Sequence, residues 1–410
     1  MSQQLPAYDF IAPRKILFGV GRRSAIGAEA SQLGRRCFIV SGSRTLERSG
    51  QLAAICDELR RAGVEPLHVA TQTREPLVQD VDQLVESIRQ QAAGSGDCVL
   101  GIGGGSAIDL AKAAAALATN QAGDTVQDYL EGVGRGLKIS VPPLPMIAVP
   151  TTSGTGAEAT KNSVISSHSP AFKKSLRADS MVPAVVIIDP ELTLGLAPDT
   201  TAYTGMDAIT QLIESYVSRR AKPIPQALCI DGLRLAIPAI ITAVERPDDV
   251  AARAAMSHAA LLSGMALANS GLGLAHGVAA ALGVTANVPH GLACAVMLPS
   301  AMRINRVVAE ASFNELGRVM RAAVAPLPQD HPLQEWHANH GQSLTSDGDF
   351  AVELVTYLCQ RLHIPATLRA IGIRADQLEA LATGSKGNSM DGNPREVSQP
   401  ELLELLQKLL

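Results

Sequence analysis

Short apolar runs alternate with amphipathic segments along the first half of the chain. The apolar runs predict strands. The segments between them predict helices, because their apolar residues recur every three to four positions. The predicted strands are Arg36–Val40, Pro66–Ala70, Asp97–Ile102, Pro145–Val149 and Ala184–Ile188. Strands and helices in alternation are typical of a parallel sheet with helices on both faces.

The pattern changes at Asp189-Pro190, and from Asp199 onward the spacing of apolar residues is helical. We therefore predict two domains, an α/β domain over residues 1–192 and an all-helical domain over residues 193–410. The polar, proline-containing stretch Pro326–Asp349 is predicted to be a long loop between helices.

Composition narrows the functional classes. The 410 residues are 46% hydrophobic and carry a net charge of −4. A slightly acidic chain has no electrostatic attraction for nucleic acid or anionic membranes. The N-terminal residues lack an apolar core of signal-peptide length, and no apolar run predicts a membrane span. The six cysteines have no CxxC spacing, so we expect reduced thiols in a cytoplasmic protein.

A glycine-rich turn follows one predicted strand and opens a helix. Its residues are Gly103, Gly104, Gly105 and Ser106. Glycines allow the backbone to approach a pyrophosphate, which the amides and the positive end of the helix then bind. We favour phosphate binding over a simple tight turn. On the following helix Asp109 and Lys112 are spaced i, i+3, for which a surface ion pair is the simpler interpretation.

A second polar loop follows another predicted strand. It reads PTTSGTGAE and offers the hydroxyls of Thr151, Thr152 and Thr155 beside glycines. Hydroxyls at the carboxyl end of a parallel strand suit contacts to a nucleotide, although such loops also cap helices. Two loops of this kind favour a dinucleotide site.

The loop after the strand Arg36–Val40 bears on the choice of coenzyme. An acid at this place holds the ribose 2′-hydroxyl of NAD, whereas small residues with a base admit the 2′-phosphate of NADP. Here Ser43 and Arg44 stand without an acid. The loop therefore favours NADP, with a solvated helix start as a nearly equal alternative.

Four side chains in the second half suggest a metal site. Asp207 and Gln211 are spaced i, i+4, so they project from one face of a helix. His276 and His290 lie in apolar, glycine-rich helical runs. A carboxylate, an amide oxygen and two imidazoles could enclose a divalent ion. A single buried histidine is more often structural, but the presence of a second histidine and of Asp207 favours the interpretation of both histidines as metal ligands.

Five motifs occur in a characteristic order: GGGSAIDLAKA, PTTSGTGAEAT, DPELT, TAYTGMDA and VPHG. With them the chain resembles the iron-containing, or group III, alcohol dehydrogenases over nearly its whole length. The resemblance implies a Rossmann-like N-terminal domain, an all-helical C-terminal domain and the dehydroquinate synthase-like architecture. It also implies NAD(P), a divalent metal (iron, zinc or manganese) and interconversion of alcohols with aldehydes or ketones.

The resemblance assigns roles to individual residues. Asp207, His276 and His290 would be metal ligands and catalytic, together with position 211. The family usually has histidine at position 211 and often at position 280, where this chain has Gln211 and Ala280. The other residues implied by the resemblance are Lys173 (with Lys174 as a second possibility) near a phosphate, and Asn162, Val164, Leu267 and Ser389 around the substrate.

Other functions stay open from the sequence. Gln211 and Ala280 motivate a metal-independent reductase on the same fold, similar to maleylacetate reductases. A lyase similar to dehydroquinate synthases is disfavoured by PTTSGTGAEAT and DPELT, and a non-catalytic binding module ranks lower too. For the enzyme we expect a small-molecule alcohol or carbonyl substrate and a homodimer or higher homo-oligomer.

Overall fold

A computed structural model describes residues 7–410, whose internal contacts divide them into two units. The α/β unit comprises Ile11–Thr152 and Gly156–Thr193. The helical unit comprises Ser153–Thr155 and Leu194–Leu410, together with the described N-terminal residues Ala7–Phe10. The main change of unit falls after Thr193, and the division into domains 1–192 and 193–410 stays a prediction.

The α/β unit contains a six-stranded parallel sheet and one antiparallel hairpin. The strands are β1 (Lys15–Phe18), β2 (Arg36–Ser41), β3 (Glu65–Thr71), β4 (Asp97–Gly103), β5 (Met146–Pro150), β6 (Asn162–His168), β7 (Ala171–Arg177) and β8 (Val185–Ile188). The sheet order is β1-β8-β5-β4-β2-β3, and β6 and β7 form the hairpin. The α-helices of this unit are α1 (Ile26–Leu33), α2 (Arg44–Arg48), α3 (Gln51–Arg61), α4 (Val78–Gln90) and α5 (Gly105–Thr119).

The sheet has an apolar core on each face. Successive side chains of a strand point to opposite faces, so Phe38 and Val40 of β2 join one core while Cys37 and Ile39 join the other. Burial on both faces explains why the central strands are continuous apolar runs. The predicted parallel sheet is confirmed, whereas the sequence did not reveal β1 or the β6–β7 hairpin.

The helical unit contains ten α-helices among the described residues and no strand. They are α6 (Pro198–Val217), α7 (Pro223–Glu245), α8 (Val250–Ser270), α9 (Leu274–Ala286), α10 (His290–Arg306), α11 (Glu310–Val324), α12 (Pro332–Asn339), α13 (Asp347–Arg361), α14 (Leu378–Gly384) and α15 (Gln399–Lys408). The predicted all-helical second half is confirmed.

The predicted long loop over Pro326–Asp349 is wrong, because α12 lies within it. Pro332 occupies the first turn of α12, where its missing N–H costs nothing. Leu333 and Trp336 are spaced i, i+3 and are both buried. One apolar pair on a short helix is too weak a periodic signal to stand out among polar residues.

Helices α7 and α8 are long and apolar enough, by length and composition, to cross a membrane. Half of the most apolar window of α7 and 61% of that of α8 are buried inside the protein. Helix α8 also buries Arg253, whose guanidinium donates to the Thr201 hydroxyl and to the Pro247 carbonyl. Core helices of this length meet the same criterion, so burial in the helical unit accounts for their composition.

Candidate functional site

One cluster of side chains suited to a metal ion lies in the part of the chain that the structure describes. It consists of Asp207 on α6, His276 on α9, and His290 and Cys294 on α10. One ligand atom from each residue lies within 4.8 Å of all the others. Asp207 Oδ1 is 3.3 Å from His276 Nε2 and 3.8 Å from His290 Nε2. Three helices, α6 and the consecutive pair α9 and α10, thus direct donors to one point.

The cluster contains buried polar atoms that lack hydrogen bonds. Asp207 and His276 are 1% and 4% exposed. Among residues 7–410, Asp207 Oδ1 and His276 Nε2 have no hydrogen-bond partner of acceptable geometry. Leaving such atoms unsatisfied costs about 1–3 kcal/mol each. A cation between them would satisfy both, so the donor set fits a divalent metal.

Glu214, about two helical turns after Asp207 on α6, fixes the orientation of His276. Its carboxylate accepts the Nδ1–H of His276 at 2.8 Å, which leaves Nε2 as the ring nitrogen that faces Asp207. The same carboxylate accepts the backbone N–H groups of Gly273 at 2.9 Å and Ala275 at 2.7 Å. It therefore also caps the start of α9, whose own N-cap residue is a glycine.

The electrostatics of the cluster favour positive charge. Burial alone would raise the pKa of the Asp207 carboxyl, but His290 and His276 hold it below its ordinary value. Burial opposes protonation of His276, yet Cys294 and the two carboxylates raise its pKa well above the ordinary value. Burial raises the pKa of the Cys294 thiol to about 12. Two buried carboxylates thus lie around a point where a cation would be stabilised.

Gln211, the fourth predicted ligand, has hydrogen bonds within the helical unit. Its Oε1 accepts the hydroxyl of Ser263 at 2.6 Å, and its Nε2 donates to the carbonyl of Thr155 at 3.4 Å. Its role as a ligand stays a prediction. The sequence reasoning missed Cys294 and Glu214. The i, i+4 rule that pairs Asp207 with Gln211 also pairs His290 with Cys294 and would have found it.

The predicted phosphate loop lies at the carboxyl end of β4 and the start of α5. Gly103 has φ +156°, and a Cβ there would lie 2.5 Å from the Gly42 Cα. This glycine therefore serves close packing of two strand ends. Gly104 is the N-cap residue of α5 and has no side-chain cap. A Cβ on Gly104 would meet only Thr152, at an ordinary 3.5 Å. Gly105 and Ser106 form the first turn of α5 and are partly exposed.

The second predicted loop begins where β5 ends. The N–H of Thr151 donates to the Gly103 carbonyl at 2.9 Å, which places the loop beside the glycine-rich turn. Thr151 and Thr152 are both partly exposed and belong to the α/β unit. Thr155 belongs to the helical unit and is partly exposed. The structure thus brings together two of the three predicted hydroxyls and the glycine-rich turn.

The predicted coenzyme loop follows β2. Ser43 and Arg44 are exposed, and Ser43 is the N-cap of α2, accepting the N–H of Thr45 at 3.3 Å. The nearby Ser41 is buried, and its hydroxyl forms a hydrogen bond with His68 Nε2 at 2.9 Å. Both residues are exposed after the end of a parallel strand, and their part in selecting the coenzyme stays a prediction.

The remaining predicted residues are divided between the units. Lys173 on β7 forms an ion pair with Glu75. Asn162 and Val164 lie on β6 in the α/β unit. In the helical unit, Leu267 lies on α8 and Ser389 lies in the loop after α14, both partly exposed. Their grouping around a substrate stays a prediction.

The interpretation of Asp109 and Lys112 as a surface pair is wrong, because Lys112 is 1% exposed. Its ammonium donates to the carbonyls of Ala157 and Asn162, both at 2.7 Å, and to the Thr160 hydroxyl at 2.9 Å. Three acceptors match the three protons of an ammonium group. Lys112 therefore secures the segment between β5 and β6.

Glu158 lies close to this buried pair and is 3% exposed. Burial raises the pKa of its carboxyl to about 7, and Lys112 opposes the rise. The burial of Lys112 and Glu158 was not expected from the sequence, where an i, i+3 spacing does not distinguish a buried face from an exposed one.

Comparison with known proteins covers both parts of the chain. Residues 13–190 match the family described as iron-containing alcohol dehydrogenase. Residues 201–410 match the family described as Fe-containing alcohol dehydrogenase, C-terminal. The two matches together span nearly all of the described residues.

Individual relatives agree with these families. The chain is 32% identical over 397 residues to the probable alcohol dehydrogenase EutG of Salmonella typhimurium, covering 97% of this chain and 93% of that protein. It is 31% identical over 389 residues to the lactaldehyde reductase of Escherichia coli, covering 95% and 96%. The structure of sulfoacetaldehyde reductase from Bifidobacterium kashiwanohense, in complex with NAD+, superposes with a TM-score of 0.82 at 27% identity, covering 98% and 99%. Family matches, relatives and fold agree, and so the chain is an oxidoreductase that belongs to the iron-containing alcohol dehydrogenase family.

Proposed function

We propose that the chain interconverts a small alcohol and its aldehyde or ketone, with NAD(P) as hydride carrier and a divalent metal in the cluster on α6, α9 and α10. The observation that carries the proposal is the pair of buried, unbonded atoms, Asp207 Oδ1 and His276 Nε2, that face each other beside His290. In this proposal residues 1–192 bind the nucleotide and residues 193–410 hold the metal.

The nucleotide would bind mainly to backbone groups of the α/β unit. The N-terminus of α5 has no side-chain cap, so the first amides of the helix are available to a pyrophosphate. Gly104 leaves the approach open because it has no side chain. Ser106, Thr151 and Thr152 would add hydroxyl contacts. Lys173 would contribute to a phosphate only by leaving its ion pair with Glu75.

Asp207, His276 and His290 would hold the metal. When bound, a divalent ion supplies Lewis-acid polarisation of the carbonyl oxygen and stabilises the alkoxide. Glu214 keeps Nε2 of His276 directed at the cluster, and its negative charge raises the basicity of that imidazole. His290 is 29% exposed in its side chain, whereas Asp207 is 2% exposed, so small molecules would approach the cluster from the side of His290.

Position 280 on α9 is alanine and partly exposed. An imidazole at that place would be a proton carrier, and this chain has none there. Water and the ribose hydroxyls of the coenzyme are the proposed carriers of the alcohol proton. Asn162, Val164, Leu267 and Ser389 are proposed to surround the reacting carbon.

NADP is the proposed preferred coenzyme. The loop after β2 presents Ser43 and Arg44 to solvent and has no acid that would repel a 2′-phosphate. Arg44 is close enough in sequence to the strand end to pair with such a phosphate. A relative binds NAD+, so the preference rests on this loop alone.

We propose an aldehyde as the carbonyl substrate, since two of the relatives described above are named as reductases of lactaldehyde and sulfoacetaldehyde. A cytoplasmic location is proposed because all six cysteines are described and none forms a disulfide. A homodimer or higher homo-oligomer stays a prediction from the resemblance.

The test is a panel of aldehydes and alcohols assayed with NADH and NADPH, using protein stripped of metal and then supplied with Fe²⁺, Zn²⁺, Mn²⁺ or no ion. We expect coenzyme oxidation that depends on an added ion. Full turnover without any ion would favour the metal-independent reductase instead.

A further inference from the structure

Cys294 has a position in the cluster that a packing residue would not need. It follows His290 by four residues on α10, so both side chains lie on one face of the helix. Its Sγ is 3.8 Å from His290 Nε2, and the residue is fully buried. A buried cysteine is usually a small apolar filler. Here, however, two unbonded and buried polar atoms, Asp207 Oδ1 and His276 Nε2, face the same point.

The spacing of the donors matches one tetrahedral ion. Zinc bonds of about 2.0–2.1 Å to nitrogen or oxygen and about 2.3 Å to sulfur place neighbouring donors about 3.3–3.6 Å apart. The observed separations are 3.3 Å from Asp207 to His276, 3.8 Å from Asp207 to His290, and 3.8 Å from His290 to Cys294. These three separations lie within about 0.5 Å of the values for a tetrahedral ion, and all four ligand atoms lie within 4.8 Å of one another.

Gln211 is a poorer candidate for the fourth donor. Its amide oxygen already accepts the Ser263 hydroxyl at 2.6 Å. Its amide nitrogen donates to the Thr155 carbonyl, which fixes the orientation of the group. A neutral amide oxygen is also a weaker donor than a thiolate for zinc or cobalt.

We propose that Cys294, and not Gln211, is the fourth protein ligand, and that the resulting Asp-His-His-Cys set binds zinc in preference to iron. The preference follows because a soft thiolate favours zinc over harder ions, whereas carboxylate and amide oxygens do not. This inference rests on the proposed metal at the cluster.

The experiment is a Co²⁺ titration of the full-length, metal-free protein, followed by absorption in the near ultraviolet, where a thiolate bound to cobalt gives a charge-transfer band. We expect one Co²⁺ per wild-type chain together with the band. Cys294→Ser and Cys294→Ala should lose the band and bind Co²⁺ at least about tenfold more weakly. A competition between Zn²⁺ and Fe²⁺ should favour Zn²⁺ in the wild type, and less so in the variants.

Two controls make the result specific. Cys359→Ser removes another buried cysteine of the helical unit and should keep the band. Gln211→Ala should keep both the band and the stoichiometry. Circular dichroism of each variant shows whether it is folded.

The failures of the two proposals differ. Stoichiometric Co²⁺ binding by the wild type without the band, or a band that survives in Cys294→Ser, would overturn the role of Cys294 and leave the metal site standing. Absence of Co²⁺ binding by the wild type would overturn the metal site, and the role of Cys294 with it.

Discussion

The glycine-rich turn of the α/β unit and the cluster of the helical unit differ in the groups that would bind a ligand. The turn presents backbone amides, and its main requirement is that Gly104 has no side chain. The cluster presents side chains from three helices, held by a carboxylate, Glu214, that touches both a ligand and a helix start. A site made of backbone amides loses its ligand when a side chain is added that fills the space. A site made of side chains loses its ligand when a donor side chain is removed. The following predictions test that contrast.

The largest expected effect comes from adding atoms at Gly104. Gly104→Val places methyl groups where a pyrophosphate would lie and costs at least two amide contacts to it. We expect NAD(P)H binding to weaken on the order of 100-fold or more. Because a Cβ there meets only Thr152 at 3.5 Å, the variant should fold. Fluorescence titration with NADPH measures the affinity.

Gly94→Val is the matched control, since a Cβ on Gly94 has nothing within 4 Å. It should bind the coenzyme as the wild type does. Normal coenzyme affinity in a folded Gly104→Val protein would mean that this turn does not bind the pyrophosphate.

The next effect comes from weakening a partner of the metal ligands. Glu214→Gln exchanges a carboxylate for a neutral amide. The carboxylate accepts four hydrogen bonds, from the backbone N–H groups of Gly273, Ala275 and His276 and from His276 Nδ1. Loss of an outer partner of this kind typically costs about 10–100-fold in metal affinity. Competition with a chelator measures that affinity. Glu353→Gln, at a partly exposed glutamate of α13, should leave the metal affinity unchanged, and equal affinities of all three proteins would remove Glu214 from the site.

A third prediction concerns stability and not binding. The folded-state pKa of Glu158 is about 7, above its unfolded value, so the native state holds more protons than the unfolded state between these two values. Ionisation of Glu158 therefore lowers the free energy of unfolding as the pH rises from the unfolded-state pKa to the folded-state pKa. Relative to the wild type, Glu158→Gln should gain about 2 kcal/mol in free energy of unfolding between about pH 5.5 and about pH 8.5.

Urea unfolding of both proteins at the two pH values gives this difference. Metal content should stay the same, since Glu158 belongs to the α/β unit. Parallel pH dependence of wild type and variant would show that Glu158 has an ordinary pKa.

The smallest effect is expected at the coenzyme loop. Ser43→Asp keeps the N-cap of α2, because aspartate caps as well as serine, but adds a negative charge beside the proposed 2′-phosphate. The ratio of kcat/KM for NADPH over NADH should fall about tenfold. Ser346→Asp, at another serine N-cap, should leave the ratio unchanged. If Ser43→Asp leaves it unchanged too, this loop does not select the coenzyme.

The α/β unit was the more predictable region because its signals are local. Strand β4 and the start of α5 follow from an apolar run and glycines within a dozen residues. The family could be recognised because five such motifs occur in order. Strand β1 has four residues and the β6–β7 hairpin is only half buried, so neither gives a long periodic pattern.

The cluster was only partly predictable because its residues on α6, Asp207 and Glu214, are distant in sequence from those on α9 and α10. Asp207, His276 and His290 were inferred from residue type and resemblance. Glu214 and Cys294 were missed, since a glutamate on a helix and a cysteine among apolar residues have ordinary structural explanations. Likewise, only packing shows that Lys112 faces the interior. Tertiary packing decides which side chains of different helices come together, and a short stretch of sequence does not show it.

The most direct test measures both ligands on two variants purified in parallel. His276→Ala removes a donor from the cluster, and Gly104→Val closes the glycine-rich turn. We predict that His276→Ala loses metal and turnover but binds NADPH like the wild type, while Gly104→Val loses NADPH binding but keeps its metal. Full carbonyl reduction by a metal-free His276→Ala protein would contradict the proposed metal centre and leave a metal-independent reductase in its place.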